Sequence, residues 1–339
     1  AEGTVSFDGC KFFCAGKSIY AHHEAATPHY ISISNCTFNA SRISSGKAAI
    51  QLHTELGIYG TLDVTNCTAT GFDSTINGGL WNELNNTTKV LTDKFVKTID
   101  GQVVVRTDAG FASALALEKE SIDILVNGNV AADVAPWDYP TNSKAFGGEC
   151  TQTINITGAT GSETVTFNNT DNDWNHIALK NQSGKLTISN VKLTNSGYND
   201  GPWNRHDVVF GCEVSLKDVV SDKAIGLKKK SVLENVTIAD TRAEDDYGLW
   251  ITAEGQTVTV KDCLLDMVKT GASGRCIKIA DQYVDNPKSV VLNVSGTTFK
   301  SQKKAAVLVT STAGANIIWG EGNDISNVAA DQTNAVWND

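Results

Sequence analysis

A short pattern of apolar and polar positions recurs from one end of the chain to the other. In Ile33-Ser34-Asn35-Cys36 an apolar residue is followed by a polar one, then Asn, then Cys. The same shape appears in Phe7-Asp8-Gly9-Cys10, Val64-Thr65-Asn66-Cys67, Ile188-Ser189-Asn190-Val191 and Leu216-Lys217-Asp218-Val219. It appears again in Leu233-Glu234-Asn235-Val236, Val260-Lys261-Asp262-Cys263, Val294-Ser295-Gly296-Thr297 and Ile325-Ser326-Asn327-Val328. The last residues of neighbouring copies are mostly 26 to 34 positions apart, with one step of 17 between Val219 and Val236. A period of this size marks a stacked array, in which each repeat buries its apolar face only against its neighbours.

Between the copies lies a second run of the form small–aliphatic–X–aliphatic. It occupies positions 18–21, 49–52 and 79–82, and later 176–179, 207–210, 224–227, 248–251, 276–279, 306–309 and 335–338. Period-two alternation sends one side chain in and the next out, so the pattern predicts two strands per coil. The regularity lapses between Thr87 and Gly101, where Phe95 to Gly101 reads as a short edge strand and turn. One helix is predicted near residues 108–118. Thr107-Asp108 can cap it, and Phe111, Ala114, Leu115 and Leu117 give it an apolar face. Ser121–Val126, Thr153–Ile156 and Thr164–Phe167 read as further strands.

The fold class is therefore all-β: a parallel β-helix, or solenoid, with a short helix covering the open end that would otherwise expose strand edges and core. The coils resemble the right-handed parallel β-helix of the pectate-lyase-like superfamily, in particular the β-helix repeats of bacterial cell-surface proteins. The resemblance covers most of the chain and implies the fold. It carries no activity with it.

The organisation read from the pattern is three coils over 1–88, a linker over 89–102, and a capped β-helix body over 103–339. A β-helix is expected to begin with its cap, yet here three coils precede it. Written tail to head, the sequence continues smoothly, with Val328 and Cys10 21 residues apart across the join. Three arrangements fit. Coils 1–88 could fold back onto the far end of the same solenoid. They could stack on the open end of a neighbouring copy, a head-to-tail contact that propagates into a fibre if it does not close. Or the chain could be a plain two-part fragment. In the second case Ala1, Val5, Phe7, Cys10, Val328, Val336 and Asp339 line the junction.

Composition narrows the partners. Of 339 residues 41% are hydrophobic and 19% charged, which suits a globular chain rather than a disordered one. A formal charge of −10 argues against a nucleic-acid partner. No apolar run approaches the roughly 18 residues of a membrane span. The start at Ala1 without Met reads either as a trimmed chain or as a processed, exported one, and the second reading places the protein outside the cell or on its surface. Of the eight cysteines, Cys10, Cys36, Cys67 and Cys263 share one repeat position, which favours stacked buried thiols over disulfides. The absence of a Cys-x-x-Cys pair argues against structural zinc. The triplets Asn35-Cys36-Thr37, Asn66-Cys67-Thr68 and Asn235-Val236-Thr237 have the form of glycosylation sites, but an Asn that turns the chain explains them without sugars.

Stacked coils turn equivalent positions into columns about 4.8 Å apart. The outward position of the second strand gives Tyr20, Trp81, Trp250 and Trp337, aromatics on which sugar rings could stack, unless loops cover them. Two residues on come Asp339, His22, His53 and Glu83, and beyond these Glu24, Glu55 and Asn85. His22, His53, Glu24 and Glu55 could together perform general acid–base chemistry or hold a divalent metal. Carboxylates one rung apart also match the roughly 5 Å separation of a retaining glycosidase. The same residues would equally suit an ordinary polar face. Asp171, Asp173, Asp207, Glu244, Asp245 and Asp246 could bind calcium or remain solvated acids; no cofactor is otherwise implied. Two function classes follow. One is a structural surface protein assembling head-to-tail, as a fibre or adhesin. The other is a polysaccharide lyase or glycoside hydrolase.

Overall fold

The computed structural model describes residues 3–23, 29–44, 46–54, 60–85, 93, 95–117, 119–134, 151–169, 177–179, 184–195, 208–239, 247–268, 275–281, 284–301, 305–328 and 337–338. They form a parallel β-solenoid of about 8 turns with a single short helix. The chain divides into two compact units. One holds residues 1–117 and 123–128, the other 118–122 and 129–339.

In the first unit each coil has three strands rather than the two expected. The first coil is β1 (Gly3–Asp8), β2 (Lys11–Cys14) and β3 (Ile19–His23). The second is β4 (His29–Ser34), β5 (Thr37–Ser44) and β6 (Ile50–Thr54), and the third is β7 (Gly60–Thr65), β8 (Thr68–Phe72) and β9 (Trp81–Asn85). The ladders β1–β4–β7, β2–β5–β8 and β3–β6–β9 are parallel. Their register aligns Val5, Ile31 and Leu62 in one column and Phe7, Ile33 and Val64 in the next. Alternate residues of the interior coils fill a core that includes Ile33, Phe38, Ile50, Leu52 and Val64.

The segment expected as a linker is partly built into the sheet. β10 (Phe95–Ile99) lies parallel to β7, with Lys97 opposite Leu62 and Ile99 opposite Val64. After a turn at Asp100-Gly101, β11 (Gln102–Val105) pairs antiparallel with β10. β10 is therefore an inner strand, not an edge. The helix α1 (Asp108–Leu115) follows, and its N-cap Thr107 accepts a hydrogen bond from Gly110 N at 3.2 Å through Oγ1. Phe111, Ala114 and Leu115 are buried as predicted. β12 (Ser121–Val126) pairs parallel with β11. The helix falls in the compact unit that also holds residues 1–88.

In the second unit the expected second strands form one parallel sheet of seven. It runs through Ile177–Leu179, Val208–Phe210, Ile225–Leu227, Tyr247–Thr252, Arg275–Ala280, Val307–Val309 and Trp337–Asn338. Strands buried on both faces read as continuous apolar runs, and Tyr247–Thr252 is buried at every position.

The repeat's third residue explains why the motif recurs. Asn35, Asn66, Asn190, Asp218, Asn235 and Asp262 have φ of 49–55°, and Gly9 and Gly296 have 64° and 60°. These are left-handed conformations that only Gly, Asn and Asp adopt at low cost. Each turns the chain from one face of the coil to the next. The amides also form a ladder across coils. Asn66 Nδ2 donates to Asn35 Oδ1 at 2.8 Å, Asn35 Nδ2 to Asp8 Oδ1 at 2.9 Å, and Asn235 Nδ2 to Asp218 Oδ1 at 2.6 Å. Hydrogen bonds from Ser34 and then Asn35 hold the Asp8 carboxyl below its ordinary value. Asn35→Ala removes the short polar side chain that lets Asn sit at φ 54° and breaks two ladder bonds, so urea unfolding should show a loss of about 2 kcal/mol. Asn35→Gly keeps the turn and should lose less.

The fourth residue is small because the next coil sits on it. Cys10 N donates to Cys36 Sγ at 3.4 Å, Cys36 N to Cys67 Sγ at 3.4 Å, and Val236 N to Cys263 Sγ at 3.5 Å. All seven described cysteines are free thiols. Burial pushes the Cys276 thiol up to about 12. In the native protein at pH 8 a thiol reagent should leave Cys276 unlabelled, while urea exposes it to complete reaction. Rapid native labelling of Cys276 would contradict the packing described.

Candidate functional site

The register brings the predicted histidines together. His22 and His53 are direct partners in the β3–β6 ladder, with Tyr20 opposite Gln51. His53 is only 8% exposed, and the Tyr20 ring lies over it at 4.8 Å. Lys17 Nζ sits 3.6 Å from the centre of the Tyr20 ring. Glu24 and Glu55 lie outside the described residues. So do the acidic residues at 171, 173, 207 and 244–246, and among the described residues no cluster of three or more His, Cys, Asp or Glu could hold a metal.

In the third coil the expected column slips by one residue. Trp81, not Leu80, is opposite Ile50, so Leu84 rather than Glu83 follows His53 in its column. The cause is the 3-10 turn Asn77–Gly79, which has positive φ at all three residues and delays the strand by one position. Asn77 Nδ2 fixes the turn by donating to Trp81 O at 2.9 Å. A one-residue slip exchanges the two faces of a strand. Trp81 and Glu83 consequently point into the core, both 0% exposed, and Trp81 offers no face to a sugar.

Trp250 is shielded from solvent for a different reason. Its register is as predicted, in the column Ala178–Val209–Gly226–Trp250–Lys278–Leu308. Yet it is 1% exposed, in a second apolar cluster with Val209, Ala224, Tyr247 and Ala280. Gly226 makes room for it, since a β-carbon there would come within 3.3 Å of the Trp250 ring and 2.9 Å of Val209. Trp337 pairs with Val307, one position away from the predicted column. Of the four proposed aromatics Tyr20, at 43%, is exposed. Of the junction residues, Val5 is 46% exposed and Phe7, Cys10 and Val328 are half-buried. Ala1, Val336 and Asp339 lie outside the described residues.

The densest chemistry in the described structure is one the repeat pattern missed. Lys97 Nζ lies 2.7 Å from Glu83 Oε2 and 2.7 Å from Asp93 Oδ1, with side-chain exposures of 1%, 0% and 1%. The Lys97 ammonium also stands 5.0 Å from the Trp81 ring centre. Asp93 Oδ2 accepts from Arg106 N at 2.7 Å, Thr107 N at 2.6 Å and Thr107 Oγ1 at 2.9 Å. Asp93 thus secures the start of α1, where a negative charge is favoured. Gly110 is required there, because a β-carbon would lie 2.5 Å from Asp93 Oδ2. Phe95 N reaches both Glu83 oxygens at 3.3 and 3.4 Å. The sequence held one signal. Phe95, Lys97 and Ile99 share a face by period two, so a lysine stands where the core expects an apolar residue. Buried charges persist only when paired and hydrogen-bonded.

Comparison with known protein families, curated proteins and solved structures finds no match to this chain.

Proposed function

We propose that the chain is a structural subunit of an extracellular or cell-surface fibre or adhesin, in which the end coil of one copy continues the solenoid of the next. One observation carries the reading. Along a single column the exposure is 46% at Val5, 6% at Ile31 and 0% at Leu62. All three are aliphatic and in one register; the difference is that Ile31 lies between β1 and β7, and Leu62 between β4 and β10. In the second unit Ala315, Ile317 and Trp319 are half-buried, while their ladder partners Val290, Leu292 and Val294 are at 0–2%. Apolar rungs with no strand beyond them among the described residues are sites for strand addition. The occupant that fits is a parallel strand with apolar residues at alternate positions, which a second copy supplies. No observation favours the lyase or hydrolase reading over this one.

Sedimentation across a concentration series tests the proposal. The wild type should show growing oligomers, and Val5→Lys should remain a monomer of unchanged stability. A wild type that stays monomeric at every concentration would sink the reading.

A further inference from the structure

We propose that Lys97 and Asp93 become joined by an amide bond inside the folded chain, with Glu83 carrying the protons. The inference stands apart from the assembly reading and rests on the geometry of the three side chains. An ammonium beside a carboxylate contains the atoms of an amide plus one water. What prevents condensation in solution is hydration of both charges, dilution and the excess of water. None of these holds here. Both groups are about 1% exposed and 2.7 Å apart, and fixed contact of this kind is worth effective concentrations of about 10⁵–10⁸ M. Removing two charges from a dry interior also relieves the desolvation that makes a buried ion pair costly.

The atoms balance without a further reagent. Lys97 Nζ passes a proton to Glu83 Oε2, 2.7 Å away, and becomes a neutral amine. Nζ attacks Asp93 Cγ, and the Nζ–Cγ bond forms. Negative charge in the tetrahedral intermediate gathers on Oδ2. That oxygen is already held by two backbone N–H groups and the Thr107 hydroxyl, at 2.6–2.9 Å, which is the arrangement that stabilises such an oxyanion. Glu83 delivers the first proton and then a second from Nζ to Oδ1. The Cγ–Oδ1 bond breaks, water leaves, and Glu83 returns to its carboxylate form. A small recess lined by Asp93, Lys97, Val104, Gly110 and Ser113 adjoins the pair and can receive the water. Glu83 touches the reacting nitrogen and is the catalytic residue. Trp81, against Lys97, is a positioning residue.

Mass spectrometry of the intact wild-type chain, denatured and reduced, tests the proposal. The expected mass is lower than that of the sequence by one water. After trypsin, cleavage should occur at Lys94 but not at Lys97, leaving residues 93 and 97 linked across the cut. A wild-type mass equal to that of the sequence overturns the proposal, as does a missing water that maps anywhere else, including Glu83. Glu83→Gln should restore the full mass. A folded Glu83→Gln chain that still lacks the water removes Glu83 from the mechanism. Where the Gln variant does not fold, Glu83→Asp should lose water more slowly than the wild type over a time course after synthesis, and an unchanged rate likewise removes Glu83 from the mechanism.

Discussion

Lys97→Met should destabilise the first unit by about 3–5 kcal/mol, the range found when one partner of a buried ion pair is removed. The substitution is close in volume, so the loss is electrostatic rather than steric. It leaves Glu83 at 0% exposure and Asp93 with its Oδ1 unpaired, two carboxylates facing each other in a dry interior. Glu83 keeps the hydrogen bonds from Phe95 N but loses that from Lys97 Nζ. Adding Glu83→Gln to Lys97→Met removes one of the stranded charges and should recover part of the loss, so the two substitutions are non-additive. Asp93 is not interchangeable in this way, since it also holds Arg106 N and Thr107 at the start of α1. Urea unfolding followed by circular dichroism gives the comparison. A Lys97→Met loss under about 1 kcal/mol would mean that the charges are solvated, contrary to the burial described.

Phe38→Ala should cost about 3–5 kcal/mol, the range for deleting a buried ring and leaving a cavity. Phe38 is 0% exposed and stacks on Phe12 of the coil before at 4.9 Å, with the rings 13° from parallel. Its other neighbour in the ladder is Ala69, too small to fill the space. A solenoid coil has contacts only above and below it, so the cavity breaks both at once. Phe13 is the control. It alternates with Phe12 on the same strand but is 76% exposed, and Phe13→Ala should change stability by no more than about 0.5 kcal/mol. The pair separates period-two burial from aromatic content.

The features visible in the sequence are those set by local backbone chemistry. Asn35, Asn66, Asn235 and Asp262 announce left-handed turns because few other residues take that conformation cheaply. Those turns fix where each coil bends, and the alternating strands between them follow. The Thr107 cap and the apolar stripe of α1 were legible for the same reason. What sequence reading could not supply was register where the turn changed length. Asn77-Gly78-Gly79 looks like any Gly-rich loop, yet its extra residue sends Trp81 and Glu83 into the core and removes both from the predicted surface columns. Trp250 failed differently. Its column was right, but outward from the coil is not outward to solvent when a second apolar cluster covers that face. The Glu83–Asp93–Lys97 group was hidden because Glu83 comes from a strand of the third coil while Asp93 and Lys97 both lie in the segment read as linker. Only the lysine on the Phe95–Ile99 face betrayed it. The histidine pair was legible because β3 and β6 keep one register from Ile19 to His23.

Electron microscopy of the purified protein tests the central claim most directly. Stacking of end coils predicts rods whose lengths fall at whole multiples of one subunit and which shorten to single subunits in Val5→Lys. Wild-type particles of one subunit length at every concentration, indistinguishable from those of Val5→Lys, would contradict it.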